Sequence, residues 1–447
     1  MTITKSDADL EKETVSKVTW RLMPFLIVCY LLAFIDRGNI GMAALQMNHD
    51  IGVTPQMFGF ASSLFFIAYF FFEVPSNLAL QRFGARRWIA RIMITWGLIS
   101  AGNALVQGPN TLYVLRFLLG AAEAGFFPGV MLYMTYWIPA TYRARFVAIF
   151  MVAIPMASFI GSPLSALLLQ ADGAWGLRGW QWLFLLEGLP TVVMGLACLW
   201  YLTDRPEQAT WLTAEQRDWL TARMQRERSE KKMVAHVSLW KLFRSKEVIG
   251  MALVCSTASA AGSVLGVWQP QLIKSFGLTV MQTGLLNSVP YAVAAAMMIW
   301  WGRHSDRKNE RRWHTVIPLA LIAVGMLSTL LVSSLFPTIM LLTFVLIGAY
   351  SFKGPFWALS TGWLASGSAA AGLAGINAVA NLIGGGLMIN VYGWIKTSTG
   401  SHALGLAPIA VLAVMSITML LVLSAKPRQS AAVASGTMTG GKASGAK

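Results

Sequence analysis

Arg116 and Glu123 sit inside RFLLGAAEAGFFPG, a stretch of the 447-residue chain that is otherwise apolar. Seven residues is almost two helical turns, so both side chains leave nearly the same face of a helix, about 10 Å apart along its axis. A second charged couple, Asp36 and Arg37, interrupts the equally apolar FIDRGNI. At a bilayer centre each such charge costs roughly 2.5–3.5 kcal/mol on insertion scales, which argues for a protein-lined cavity over a lipid-facing position. An arginine is charged at every accessible pH and offers a planar fork that matches a carboxylate. A carboxylic acid beside it can gain or lose a proton according to whether the arginine is engaged elsewhere. That combination suits an anion coupled to protons, with Asp36 and Glu123 as proton-binding groups and Arg37 and Arg116 as partners of an anionic carboxylate. The plainer alternative is a static ion-pair network that ties two helices together.

Counting 1.5 Å per residue from the ends of the apolar runs puts Arg37 and Arg116 at about 22 Å above the basic side, Glu123 at roughly 12 Å, and Tyr69 near the midplane. Lys353, in SFKGPFW, is costly in a bilayer unless it snorkels or faces the same cavity. Together with an arginine it would put positive charge on both sides of one bound molecule, favouring a second carboxylate or a polar far end. Asn377 and Asn381 are four apart and share a helix face, ready to hydrogen-bond a ligand or a neighbouring helix. Trp357, Trp268 and Tyr291 are candidate cavity liners. Glu73 reads either as a second proton site or as a gating or structural partner, and Glu187 as a structural pairing. The five His are scattered, and Cys29, Cys198 and Cys255 all fall in apolar runs, so no metal or disulfide spacing arises. The sequence holds no phosphate-binding loop, HExxH or nucleophile elbow. Neither a cofactor nor an enzymatic reaction is expected.

The elements that must position these residues follow from composition. Hydrophobic residues make up 56% of the chain and charged ones 12%, too little polar material to coat a soluble protein of this size. Apolar runs of the roughly 20 residues needed to span a bilayer as helix recur over 22–45, 56–80, 88–107, 110–134, 146–169, 181–203, 247–273, 281–301, 314–335, 338–364, 370–395 and 403–425. The expected fold class is therefore an all-α integral membrane protein with twelve transmembrane helices. The net charge of +16 follows topology: with the N-terminus on one side, 29 of the 35 Lys and Arg gather on that side and three (Arg178, Lys274, Lys396) on the other. This bias puts both termini in the cytoplasm and sets nucleic-acid binding aside. The mixed-charge N-terminus lacks a cleavable signal pattern.

The widest polar break, 204–246, splits the chain into a cytoplasmic N-terminus (1–21), an N-terminal bundle (22–203), a linker, a C-terminal bundle (247–425) and a disordered tail (426–447). Within the linker, Thr213 and Gln216 have capping-box spacing ahead of a short solvated helix. The halves echo each other: NLALQRFGARR (77–87) follows span two, GRHSDRKNERR (302–312) follows span eight, and a similar displacement carries Pro128 onto Pro355. Such a repeat implies two bundles related by an axis along the membrane normal, sharing a site near the midplane.

The loop after span two resembles the G-x-x-x-D-R-x-G-R-R signature of the major facilitator superfamily at Arg82, Gly84, Arg86 and Arg87, with Asn77 in place of its first Gly and Gln81 in place of its Asp. The second copy keeps Gly302, Asp306 and Arg307. FIDRGNI, YFFFEVPSN, RFLLGAAEAGFFPG, WQWLFLLEG, LTDRPEQA and GPFWAL are similar to the anion:cation symporter branch, whose members carry phthalate, tartrate, 4-hydroxyphenylacetate and sugar acids. The resemblance implies the major facilitator fold in two pseudo-symmetric six-helix bundles, proton roles for the DR acid and the span-four Glu, an anion role for the span-four Arg, and a ligand role for Asn381 in N-x-x-G-G. The expectation is proton-coupled import of a small organic anion by a monomer in the cytoplasmic (inner) membrane. Its partners are that anion, protons and the lipid bilayer. Export or exchange on the same fold, or a non-transporting receptor, are the alternatives.

Overall fold

The computed structural model describes residues 7–232, 245–363 and 369–425. The expected tail 426–447, the first six residues and part of the linker lie outside them. Among the described residues every regular element is a helix. The first half holds α1 (Asp7–Asp50), α2 (Pro55–Phe83), α3 (Ala85–Gly102), α4 (Pro109–Glu123), α5 (Phe126–Trp137), α6 (Ala140–Leu169) and α7 (Gly179–Tyr201). The linker contributes α8 (Ala214–Lys232). The second half holds α9 (Lys246–Lys274), α10 (Val280–Lys308), α11 (Arg312–Ser328), α12 (Leu335–Ser351), α13 (Lys353–Trp363), α14 (Ala369–Asn381), a π-helical segment Leu382–Met388, α15 (Ile389–Thr399) and α16 (His402–Ala425).

Eleven helices are long and apolar enough to cross a membrane, with α4–α5, α12–α13 and α14–α15 each counted as one. The twelfth is α3, whose hydropathy is lowered by Arg86, Arg87 and Arg91 in its first two turns and which packs along α7. Counting α3 with those eleven, the described residues hold twelve helices of membrane-spanning length, and their bounds follow the apolar runs closely. The largest difference is at the start. α1 runs 44 residues, about 66 Å, and its first turns form an amphipathic extension that buries Leu10, Thr14 and Val18 and packs on α8.

Local chemistry explains the ends. Thr54 caps α2, its side chain accepting from the Met57 amide at 3.3 Å with Pro55 at the first helical position. The capping box of the linker helix forms as its spacing predicts: Thr213 Oγ1 accepts from the Gln216 amide and Gln216 Oε1 from the Thr213 amide. That helix is less solvated than expected. Leu220 and Met224 are buried, and Glu227 accepts from the Ala140 amide and pairs with Arg143 at the start of α6.

Span four is not one helix. Glu123 is the last residue of α4, Gly125 turns into the left-handed region at φ 87°, and α5 restarts at Phe126. Pro128 falls in the first turn of α5, where a missing N–H costs nothing. The equivalent position in the second half, Pro355, also lies in the first turn of a helix, α13, but Phe352 before it keeps helical angles and the Phe352 and Phe356 amides bond back to Gly348 and Phe352. The repeat in sequence does not carry the break of span four with it.

The halves meet along α6 with α10, α1 with α9, and α2 with the π-helical segment and α15. Their side-chain contacts gather at the end opposite the chain termini: Phe58 sets its ring edge on Trp268 at 5.1 Å, the Gln56 amide donates to Thr397 Oγ1, and Asn287 Nδ2 donates to Ser162 Oγ. Within the first half, α2 crosses α4 so closely that a Cβ on Gly120 would overlap the Phe65 carbonyl. Gly120→Ala should therefore lower thermal stability in detergent by at least about 1–3 kcal/mol. Gly102→Ala, where a Cβ meets nothing within 4 Å, should leave the melting temperature unchanged.

Candidate functional site

The centre of the first half is an ion pair between two helices. Arg37 on α1 donates from Nε (2.9 Å) and Nη2 (2.5 Å) to one oxygen, Oε1, of Glu123 at the end of α4. Counting from the apolar boundaries had separated these groups by roughly 10 Å of depth, and the structure corrects that. Side chains tilt toward the N-terminus of their own helix. α1 and α4 enter from opposite ends, so Arg37 tilts toward Glu123 while Glu123 tilts toward Arg37. The Arg37 guanidinium also lies over Phe34, Phe65 and Tyr69, at 4.8, 5.3 and 5.2 Å from the ring centroids.

Arg116 takes a different position. It is 2% exposed, its guanidinium lies 5.2 Å from the Phe65 centroid, and its Nε and Nη1 have no hydrogen-bond partner. One phenyl ring thus faces two guanidiniums, of which one is hydrogen-bonded to Glu123 and the other lies within electrostatic range of it without a hydrogen bond. Phe65 was missed in sequence because an aromatic in an apolar run gives no sign that cations lie against it. Tyr69, expected near the midplane, lies in this cluster.

Asp36 does not join its neighbour. It turns into the bundle, where Ser100 on α3 and Thr191 on α7 donate to its two oxygens at 3.1 and 2.9 Å. Adjacent helical residues point about 100° apart, and here that rotation separates the two acids: Glu123 faces cations, Asp36 faces hydroxyls. Glu187, one turn from Thr191, accepts from Ser165 Oγ at 2.7 Å, the kind of pairing expected for it. Glu73 is half-buried within electrostatic range of Tyr69 and Arg37.

The second half brings Lys353 to the same region. Its ammonium lies 5.1 Å from the Tyr350 ring centroid and within electrostatic range of Arg37. Asn381 accepts from Ser259 Oγ at 3.1 Å, at the point where α14 passes into the π-helical segment. Such segments are frequent at functional sites. Asn377 is half-buried one turn earlier, and Trp357 is half-buried with its ring on the edge of Phe356. Trp268 is stacked on Tyr392 at 4.7 Å in the contact between the halves. Tyr291 lines a small cavity there with Asn39 and Asn287.

The loop motif divides. Arg82 lies on the Phe83 ring at 5.6 Å, Gly84 makes the turn between α2 and α3, and Arg87 is exposed. Asp204, three residues past the end of α7, bonds the start of α3: its Oδ1 accepts from the Arg86 amide at 2.8 Å. In the second copy Asp306 pairs with Arg311 at 2.6 Å, beside half-buried Gly302 and exposed Arg307. There Glu310 caps α11, accepting from the Trp313 amide and from His314. Those bonds outweigh desolvation and hold its carboxyl below the ordinary glutamate range.

The profile of the Major Facilitator Superfamily matches residues 26–389. The chain belongs to this superfamily. It is 48% identical over 418 residues to an Agrobacterium vitis protein provisionally named a tartrate transporter, covering 94% of this chain and 96% of the relative. It is 39% identical to a quinolone resistance transporter of Acinetobacter baumannii, covering 94% and 96%. Among solved structures, a bacterial homologue of the human lysosomal transporter Spinster, captured inward-facing and occupied, superposes with a TM-score of 0.75 at 16% identity, covering 90% of this chain and 96% of that one. The relatives agree with the anion:cation symporter branch to which the motifs pointed. This is a facilitator-fold transporter and not an enzyme.

The pairing of Arg37 with Glu123 can be measured. A double-mutant cycle on Arg37→Met and Glu123→Gln, read as thermal stability, should return a coupling energy of about 1–3 kcal/mol. The same cycle on Arg116→Met and Glu123→Gln should return clearly less, because no hydrogen bond joins that pair.

Proposed function

We propose that this transporter imports a small organic anion together with protons across the cytoplasmic membrane. The observation that carries the reading is Arg116: a guanidinium in the membrane interior with two donors unpartnered, next to an arginine already neutralised by Glu123. Glu123 is within electrostatic range of Arg116 but spends its hydrogen bonds on Arg37; a buried charge left short of bonded partners is unfavourable, and a ligand carboxylate would supply them. Lys353, reaching the cluster from the other half, gives the ligand a second positive contact and ties the two halves through it. The relatives named for tartrate agree with a carboxylate substrate.

The coupling follows from the shared oxygen. While Glu123 is ionised it holds Arg37, and the cluster offers an incoming anion Arg116 alone. Once Glu123 is protonated, Arg37 loses its counter-charge and turns its fork to the substrate. Proton and anion therefore favour each other's binding, which is what symport requires. Asp36 takes the second proton among the hydroxyls of Ser100 and Thr191. Tyr69, Trp357, Asn377 and Asn381 contact the remainder of the substrate. Glycines and charges of the loop motif (Arg82, Gly84, Arg86, Arg87, Gly302, Asp306, Arg307) take part in the rocking of the two bundles.

We place both termini and α8 in the cytoplasm, by the positive-inside bias, and divide the chain as 1–21, 22–203, 204–246, 247–425 and 426–447. The protein works as a monomer. On this orientation the packed end is the outer one, and the substrate cluster would open inward. A second reading, export or exchange, is favoured by the quinolone resistance relative. The sign of the pH change on adding substrate to the medium separates the two: an anion entering together with protons alkalinises the medium, whereas a compound entering in exchange for internal protons acidifies it.

In proteoliposomes offered radiolabelled tartrate with an acidic exterior, wild type should accumulate the label against its gradient. Arg116→Ala should lose both accumulation and counterflow. Glu123→Gln should lose accumulation and keep counterflow. Proton-driven accumulation by Glu123→Gln would remove Glu123 from the coupling.

A further inference from the structure

Away from the arginine cluster, the packed end of the molecule holds a second polar assembly. Glu187 is 3% exposed on α7, with Ser165 donating to one oxygen and the other, Oε2, buried without a partner. Beside it lies Asn39 of α1, 2% exposed, whose side chain faces the Glu187 carboxylate and whose amide atoms make no hydrogen bond within 3.5 Å. Asn39 lines a small cavity between the two halves, together with Ser162 and Ser165 of α6 and Asn287 of α10. Asn287 Nδ2 donates to Ser162 Oγ at 2.8 Å across the contact between the halves, while its Oδ1 is again buried and unpartnered.

Three unpartnered polar atoms of residues lining this cavity, Asn39 Nδ2 and Oδ1 and Asn287 Oδ1, meet the requirement for ordered water, which needs two to four such partners, and Glu187 lies behind the lining residues Asn39 and Ser165. Counted along α7, Glu187 lies about 12 Å from the outer end of the helix. The charged groups facing it are few. Among the described residues no cation lies within salt-bridge range, and from α1 the one titratable neighbour is Asp36, within electrostatic range. Arg37 is held by Glu123. The arginines of α3 and α6 lie at the far ends of those helices, in 86–91 and 143–145. Thr191, which donates to Asp36, is one turn along α7 from Glu187, so the two acids belong to one ladder of polar groups running inward from the cavity.

We propose that Glu187 is a third proton-carrying residue, loaded from water held in this inter-half cavity and discharging to Asp36. This rests on the proton-coupled reading above and adds to it a route that bypasses the substrate cluster. A proton from the outer medium passes through the cavity water to the Ser165 hydroxyl, which lines the cavity, and that hydroxyl hands its own proton to Glu187 Oε1 as it takes the new one. Asn39 and Asn287 are positioning residues that hold the water. Asp36 accepts the proton as Glu187 returns to its ionised form. The bond from Asn287 to Ser162 closes the cavity when the halves come together, so loading precedes closure.

Glu187→Gln separates this from a structural role, because Gln keeps the volume and an oxygen to accept the Ser165 hydrogen bond. A residue that only pins α6 to α7 would tolerate it. In proteoliposomes with radiolabelled tartrate, Glu187→Gln should lose proton-driven accumulation and keep wild-type counterflow, and Glu187→Asp should restore part of the accumulation. Infrared difference spectra of the protein alone, between about pH 5 and pH 8, should show a protonated-carboxyl C=O band in wild type that Glu187→Gln removes. Wild-type accumulation by Glu187→Gln overturns the proposal, and so does a set of titrating carboxyl bands that Glu187→Gln leaves intact. Loss of counterflow as well as accumulation, without rescue by Glu187→Asp, assigns the residue to structure and overturns it too. Failure of wild type itself to move protons would instead remove the symport reading, and this route with it.

Discussion

The structure depends on how a few charges are kept out of hydrocarbon. An arginine or a glutamate facing lipid is strongly disfavoured, and an ion pair taken out of water recovers that cost only with good geometry. Arg37 and Glu123 have such geometry: two donors on one carboxylate oxygen, walled by Phe34, Phe65 and Tyr69. Building that wall requires α1, α2 and α4 to converge, and Gly120 lets α2 and α4 approach closely enough to do it. The remaining helices of the half enclose the three. Arg116 is the residue this arrangement leaves with unpartnered donors, and it is on those donors that the proposed binding site rests.

Length and hydropathy made the spans legible. Twelve apolar runs correspond to twelve helices, since about 20 residues must pair all their backbone groups internally to cross a bilayer. Where span four is broken, the residues say so after the fact: Gly125 lies at the interruption, with Pro128 just beyond it. Depth was less legible than order, because a backbone count ignores side-chain reach and tilt. Sequence adjacency also misled: Asp36 and Arg37 are neighbours in the chain yet face different sets of partners, and nothing in FIDRGNI states the rotation of α1.

Long-range partners were invisible for a related reason. The carboxylate on the α3 N-terminus comes from Asp204, 118 residues from its partner Arg86. A carboxylate there interacts favourably with the helix dipole as well as with the amide, so the position is filled by whichever segment the fold brings near. Glu227 of the linker helix does the same at the start of α6. Both acids sit in polar stretches that a sequence reading assigns to solvent, and both are used to fasten the ends of helices that must move as one body.

The contacts between the halves follow a different rule from those inside them. Within the first half the polar core uses charge: Arg37 with Glu123, Asp36 and Glu187 with hydroxyls. Across the packed end the polar side-chain bonds are neutral, Asn287 to Ser162 and Gln56 to Thr397, and the rest is ring packing and small residues. A neutral hydrogen bond contributes only about 0.5–1.5 kcal/mol net because water replaces it when it breaks. A buried ion pair broken at the same place would leave charges stranded, at about 3–5 kcal/mol. Two conformations that must interconvert need nearly equal free energies, so a closing surface of neutral contacts leaves the balance to be tipped by the groups that change charge. On the proposed mechanism those groups are the acids on α1, α4 and α7, which all lie in one half, while Lys353 presents a cation from the other. Movement of the second half against the first would then be sensitive to how many protons and anions the first half holds.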